Sequence, residues 1–167
     1  MTREFQIFIK PVSATCNLGC TYCYYLVKKD LYQGTGVLLM SEDILEKYIR
    51  QHIEASSENP IMFSWHGGEP LLAGIDFYRK AVALQKKYLP KGRTAINDIQ
   101  TNGTLLDDEW CRFLKSENFI AGISIDGPEK FHNKHRLTKA GEPTLTKVLK
   151  GYELLVLLMN RLHLKKI

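Results

Sequence analysis

One pattern constrains this chain more than any other. Four short runs of β-forming residues alternate with four stretches of helical spacing. Residues 5–10 alternate apolar and polar and are rich in strand formers, and Pro11 ends them. Ser41 then reads as a helix N-cap with Glu42 and Asp43 in the first turn, and Ile44, Leu45, Tyr48, Ile49 and Ile53 keep helical spacing to Ala55. Residues 61–65 give a second strand, 76–89 a second helix, 95–100 a third strand, 107–116 a third helix, 119–125 a fourth strand and 144–159 a fourth helix. Strands alternating with helices imply parallel pairing, so the predicted fold class is α/β. A closed eightfold barrel typically needs ~250 residues. With 167, this chain is expected to form a partial (β/α) barrel of about four parallel β-α units.

In such folds ligand chemistry collects at the carboxyl ends of the strands. The non-periodic segments fall there: a cysteine loop to about Tyr25, His66-Gly67-Gly68-Glu69-Pro70, Thr101-Asn102-Gly103-Thr104, and residues 126–136. The remaining composition is bland. A net charge of +5 comes from dispersed pairs such as Lys28-Lys29, Lys86-Lys87 and Lys165-Lys166, which read as solvated faces. No clustered basic stripe or recognition motif points to nucleic acid. No uninterrupted run of about 18 apolar residues suggests a membrane span. The first residues lack the apolar stretch of a signal peptide, so a cytoplasmic location is expected.

Four cysteines stand at 16, 20, 23 and 111. A disulfide scaffold would disperse them, whereas Cys16-x3-Cys20-x2-Cys23 puts three thiols in one loop. Three thiolates can hold three irons of a [4Fe–4S] cluster and leave the fourth iron open, whereas most clusters take four cysteines. Gly19 is expected to help the loop curl. A structural zinc completed by His66 as Cys3His is the competing reading. Cys111, at helical spacing with Leu114, reads as core.

The Cys-x3-Cys-x2-Cys spacing after a first strand, with Tyr22 before the last cysteine, resembles the signature of radical S-adenosylmethionine (SAM) enzymes. The resemblance implies that the open iron chelates the methionine part of SAM. One electron then cleaves SAM to methionine and a 5′-deoxyadenosyl radical, which abstracts hydrogen from the substrate. Gly67-Gly68-Glu69-Pro70 resembles the family's Gly-Gly-Glu-Pro motif, where backbone carbonyls or Glu69 would accept from the SAM ammonium. Ser124, Asp126 and Arg136 match SAM-contacting positions of a narrower subgroup, with a turn or N-cap for Asp126 and a surface ion pair for Arg136 as their ordinary alternatives. Tyr22 would pack against SAM. His66 and Asn102 are open between a pocket role and a turn role, and His132 and His135 follow no usable pattern.

That subgroup is the anaerobic sulfatase-maturating enzymes and their peptide-modifying relatives. Lys10-Pro11, Asn17-Leu18, Trp65 to Leu72, Gln100 to Thr104 and Ser124 to Pro128 all resemble it. The implied function is oxidation of a sulfatase Cys or Ser to formylglycine, with a flavodoxin or ferredoxin as reductant and a sulfatase or other peptide as partner. The relatives' base and their auxiliary cluster cysteines lie beyond this length, so no catalytic residue is assigned here. A partial radical SAM core over 1–155 and a divergent tail over 156–167 are expected, as in a truncated or frameshifted member. The alternatives are a radical SAM peptide maturase of another kind, a non-catalytic remnant, and a small zinc module.

Overall fold

The computed structural model describes residues 5–31 and 38–159. Its elements are β1 (Phe8–Ile9), α1 (Glu42–Ala55), β2 (Ile61–Trp65), α2 (Ile75–Tyr88), β3 (Ala95–Thr101), α3 (Asp108–Ser116), β4 (Ile120–Ile123), α4 (Glu129–His135) and α5 (Leu145–Met159). Short 3-10 turns cover Leu26–Leu31 and Pro70–Ala73. The four strands form one sheet in the order β1-β2-β3-β4, parallel throughout. Ser64 pairs with Phe8 on one side and Asp98 on the other, and Asp98 pairs with Ile120. All the carboxyl ends therefore emerge along one rim.

The helices bury one face of that sheet. Ile61, Phe63 and Trp65 of β2, with Ile99 of β3 and Ala121 of β4, join Leu45, Ile49 and Ile53 of α1, Tyr78 and Ala81 of α2 and Leu114 of α3 in one core. Period-two strand residues meet period-3.6 helix residues, which is the packing the alternation predicts. Cys111 is fully buried in this core, as expected. One polar triangle sits inside it. The Trp65 indole and the Gln85 amide both donate to Asn97 Oδ1, at 2.9 and 2.8 Å, and Asn97 Nδ2 donates back to Gln85 Oε1 at 2.9 Å.

Several expectations change in detail. β1 keeps only two of the six residues assigned to it, because it lies at the sheet edge with β2 as its one neighbour, and Lys10 and Pro11 already enter a turn closed by Ser13 N–H on the Lys10 carbonyl. β4 is four residues long: it starts after Phe119, whose N–H bonds the Leu114 carbonyl, and ends at Ile123, although Ser124 N–H still bonds the Thr101 carbonyl. α4 arises in a stretch read as loop. Its seven residues, mostly polar, carry no apolar stripe that periodicity could detect. α5 spans Leu145–Met159, in agreement with the helix expected over 144–159, and exposes Leu149, Val156 and Leu157. The basic tail at 160–167 lies outside the described residues. Among the described residues, Lys80, Lys86 and Lys87 make surface ion pairs with Glu42, Glu117 and Glu46. No helix among the described residues is long and apolar enough to cross a membrane.

Candidate functional site at the carboxyl rim

Four loops converge on the cysteine segment. On one side, Glu69 N–H bonds the Thr15 carbonyl at 2.9 Å, and Gly68 lies so close that a Cβ there would run into the Thr15 carbonyl oxygen. Gly68 also has φ +52°, a conformation that favours glycine. On the other side, Gly19 N–H bonds Leu137 and Thr21 N–H bonds His135, at 2.8 and 2.9 Å. Gly19 does not serve the loop through an unusual backbone angle. A Cβ at 19 would sit 3.4 Å from the Thr138 carbonyl oxygen, an ordinary van der Waals contact, so the approach of the Thr138–Lys139 backbone does not demand glycine either. The cysteine loop is thus clamped between the loop after β2 and the segment after α4.

All three loop thiols are free. Cys20 is buried, and Cys16 and Cys23 are partly so. Burial pushes the Cys16 thiol up to about 11, against the pull of the Leu18 N–H. Burial also raises Cys20, with Arg136 opposing. Iron held by these sulfurs would reverse that balance, because a coordinated thiol is deprotonated. The sulfur of Cys16 already receives two N–H donors, Leu18 N at 3.4 Å and Asn102 Nδ2 at 3.7 Å. Free thiols in one clamped loop, with donors aimed at sulfur, fit an iron–sulfur cluster. The zinc reading would take His66 as its fourth ligand. His66 instead packs edge-on against Phe8, ring centroids 4.8 Å apart.

The Glu69 carboxylate is fully buried. Oε1 accepts from Leu71 N at 3.0 Å and Thr101 Oγ1 at 2.7 Å, and Oε2 accepts from Asn102 N at 2.7 Å. Burial pushes its pKa up to about 7 although these three donors pull it down. The residue joins the loop after β2 to the end of β3, which leaves backbone carbonyls of 67–70 as the acceptors a ligand could use. Gly67, with φ +78°, lies against the Lys10 side chain, and Pro70 opens the 3-10 turn.

Tyr22, Asp126 and Arg136, read separately from the sequence, are bonded to one another. The Tyr22 hydroxyl donates to Asp126 Oδ2 at 2.5 Å, Arg136 Nε donates to Asp126 Oδ1 at 2.8 Å, and the guanidinium lies 5.6 Å from the Tyr22 ring centre. Burial works against the Asp126 charge, but Tyr22 and Arg136 hold its carboxyl below the usual range. Burial and the Asp126 bond raise Tyr22. Asp126 is not a helix cap, since Pro128 occupies that position of α4. Ser124 Oγ accepts from Gln100 Nε2 at 3.0 Å, and Gln100 lies across Gly122, where a Cβ would strike it.

Sequence reasoning missed two supports. His132 is buried, and burial lowers its pKa, with Arg136 adding to the effect. Asp126 N–H donates to its Nδ1 at 3.4 Å, so the other nitrogen carries the proton toward Thr144 Oγ1 at 3.2 Å, and that hydroxyl donates to the Arg136 carbonyl. The second support is a ring of Asn17, Asn102 and Thr104 beside Cys16. The Asn102-Gly103 turn signal was visible, but the partner at 17 was not.

With this geometry in view, comparison with known proteins decides the family. The radical SAM superfamily matches residues 11–161. The chain belongs to the radical SAM superfamily. Within it, the chain is 50% identical over 153 residues to a serine-type anaerobic sulfatase-maturating enzyme of Bacteroides thetaiotaomicron, covering 92% of this chain and 37% of that one. It is 37% identical over 149 residues to a cysteine-type anaerobic sulfatase-maturating enzyme of Clostridium perfringens, covering 89% of this chain and 40% of that one. The solved structure of native anSMEcpe with bound AdoMet and Cp18Cys peptide superposes with a TM-score of 0.84 at 35% identity, over 95% of this chain and 41% of that chain. This radical SAM chain therefore spans well under half the length of the relatives it matches.

Proposed function

We propose that this radical SAM chain is the cofactor-binding part of a sulfatase-maturating activity. Cys16, Cys20 and Cys23 hold a [4Fe–4S] cluster. Backbone carbonyls of Gly67, Gly68, Glu69 and Pro70 take the SAM ammonium. Ser124 and Arg136 take its carboxylate or ribose, with Asp126 fixing Arg136, and Tyr22 packs alongside. When bound, the cluster supplies the electron that splits SAM, and the radical so formed removes a hydrogen atom from the β-carbon of a sulfatase Cys or Ser on the way to formylglycine. The chain's own part is positional. The clamp on the cysteine loop fixes the sulfurs, and the Tyr22–Asp126–Arg136 group fixes a cation 15% exposed beside them. Arg136 spends its Nε on Asp126, which leaves the terminal amino groups of its fork for a carboxylate.

The observation that carries this reading is the set of three free thiols on a loop gripped by the Gly-Gly-Glu-Pro segment and the segment after α4. The peptide substrate, a flavodoxin or ferredoxin as reductant, and a cytoplasmic setting belong to the same proposal. The test is anaerobic incubation of the iron–sulfur-loaded chain with dithionite and SAM, with and without a sulfatase-derived peptide. Formation of 5′-deoxyadenosine is expected, and its absence from a chain loaded with cluster and SAM overturns the catalytic reading in favour of a non-catalytic binder.

A further inference from the structure

We propose that Asn102 is a positioning residue for the cluster, setting its reduction potential through a hydrogen bond to the Cys16 sulfur. The inference rests on Cys16 being a cluster ligand. Asn102 is 7% exposed, and its backbone N–H and both side-chain polar atoms are engaged. Its backbone N–H donates to Glu69 Oε2 at 2.7 Å. Its Oδ1 accepts from Thr104 N at 3.0 Å and Thr104 Oγ1 at 2.7 Å. Its Nδ2 donates to Asn17 Oδ1 at 2.8 Å and reaches Cys16 Sγ at 3.7 Å.

This network fixes which way the amide points. Turned over, the amide would set its NH2 against the Thr104 N–H, donor against donor, and its oxygen against Asn17 Oδ1 and the sulfur. The N–H therefore faces Cys16. Asn17 closes the ring by donating its own Nδ2 to Thr104 Oγ1 at 2.8 Å. Glu69, buried and bonded to both Thr101 and Asn102, holds the end of β3 in register with this ring. The acidic residue of the Gly-Gly-Glu-Pro segment thus acts on the cysteine loop through Asn102.

The chemical consequence has a sign. Adding an electron to a thiolate-bound cluster increases negative charge on its sulfurs, and an N–H donor stabilises the more negative state. Removing the donor lowers the potential. Leu18 N–H, also on Cys16 Sγ, remains in place, so the effect is partial.

The experiment is a redox titration of the anaerobically reconstituted chain, read from the reduced-cluster EPR signal, with iron content measured on the same samples. Asn102→Ala and Asn102→Leu are compared with wild type and with Thr104→Val. Both Asn102 variants remove the Nδ2 donor without adding a charge beside the cluster, and the leucine variant, close to asparagine in volume, carries the test should the alanine variant not load iron. Thr104→Val disturbs the same ring but leaves the Nδ2 donor and the Thr104 N–H in place. At a fixed poise near the midpoint, the Asn102 variants should show at least a threefold lower ratio of reduced to oxidised cluster, a shift of about 28 mV for a one-electron couple. Thr104→Val should stay near wild type. Loaded Asn102 variants with an unshifted potential, or a Thr104→Val shift of equal size, overturn this inference alone. Wild type that takes up no iron overturns the cluster reading with it.

Discussion

Replacing Glu69 with glutamine exchanges one carboxylate oxygen for an amide nitrogen in a site with no solvent exposure. Two forces act on the native carboxylate. Burial penalises its charge, while Leu71 N, Thr101 Oγ1 and Asn102 N stabilise that charge. Burial wins, so the folded-state pKa stands at about 7 against 4.5 in the unfolded chain. A carboxyl whose pKa is raised by folding contributes stability that is complete below the unfolded value and is lost as pH rises through the folded value. That displacement corresponds to about 3 kcal/mol. Glutamine, which resembles the neutral acid in shape and does not titrate, lacks this slope. Urea unfolding of the reduced, iron-free chain, followed by the fluorescence of Trp65 and Trp110, measures both proteins from pH 5 to 8.5. The stability of wild type minus that of Glu69→Gln should fall by up to about 3 kcal/mol across the range, mostly between pH 5 and 7. A difference that is flat, or that rises with pH, would refute the reasoning. It would mean that three donors outweigh burial and the carboxylate is ionised throughout, as carboxylates bonded by several N–H groups can be.

Other outcomes follow from the same contacts. Gly68→Ala forces a Cβ toward the Thr15 carbonyl at φ +52°; a loss on the order of 1–3 kcal/mol should appear in the urea midpoint, together with reduced iron uptake. Asp126→Ala leaves the largely buried Arg136 without its partner; calorimetric titration with SAM should show affinity at least roughly tenfold weaker, since a tenfold change needs only about 1.4 kcal/mol. Asn97→Leu orphans the Trp65 indole and the Gln85 amide in the core; at about 1–3 kcal/mol per buried unsatisfied group, thermal melting should drop by roughly 5–15 °C.

The parts of the fold legible in the sequence are those with local causes. α1 and α3 announce themselves through caps, since Ser41 Oγ accepts from Ile44 N and Asp107 Oδ1 from Trp110 N. β2 and β3 are central and well paired, so their apolar runs and their observed spans agree. β1 and β4 sit at the edges, where one neighbour rather than two fixes the length. α4 is mostly polar and is tied to the rim by hydrogen bonds rather than by a stripe, so no period betrays it.

For the site, spacing located the cysteine loop and the rim segments because each is local. It could not tell that the Glu69 carboxylate is buried, because its donors Thr101 and Asn102 lie more than thirty residues away. Nor could it show that Tyr22 bonds to Asp126 across more than a hundred residues, on the carboxylate that also holds Arg136. Long-range hydrogen bonds are set by register between loops, and no single stretch of sequence encodes that register.

The central claim is that Cys16, Cys20 and Cys23 hold an iron–sulfur cluster. Anaerobic reconstitution with iron and sulfide, followed by metal analysis and EPR of the reduced protein, measures it most directly. Wild type should retain roughly four irons per chain with the signal of a reduced [4Fe–4S] cluster, and the Cys16→Ala/Cys20→Ala/Cys23→Ala variant should retain neither. Equal iron in both proteins, or zinc near one per chain with no iron, would contradict the account.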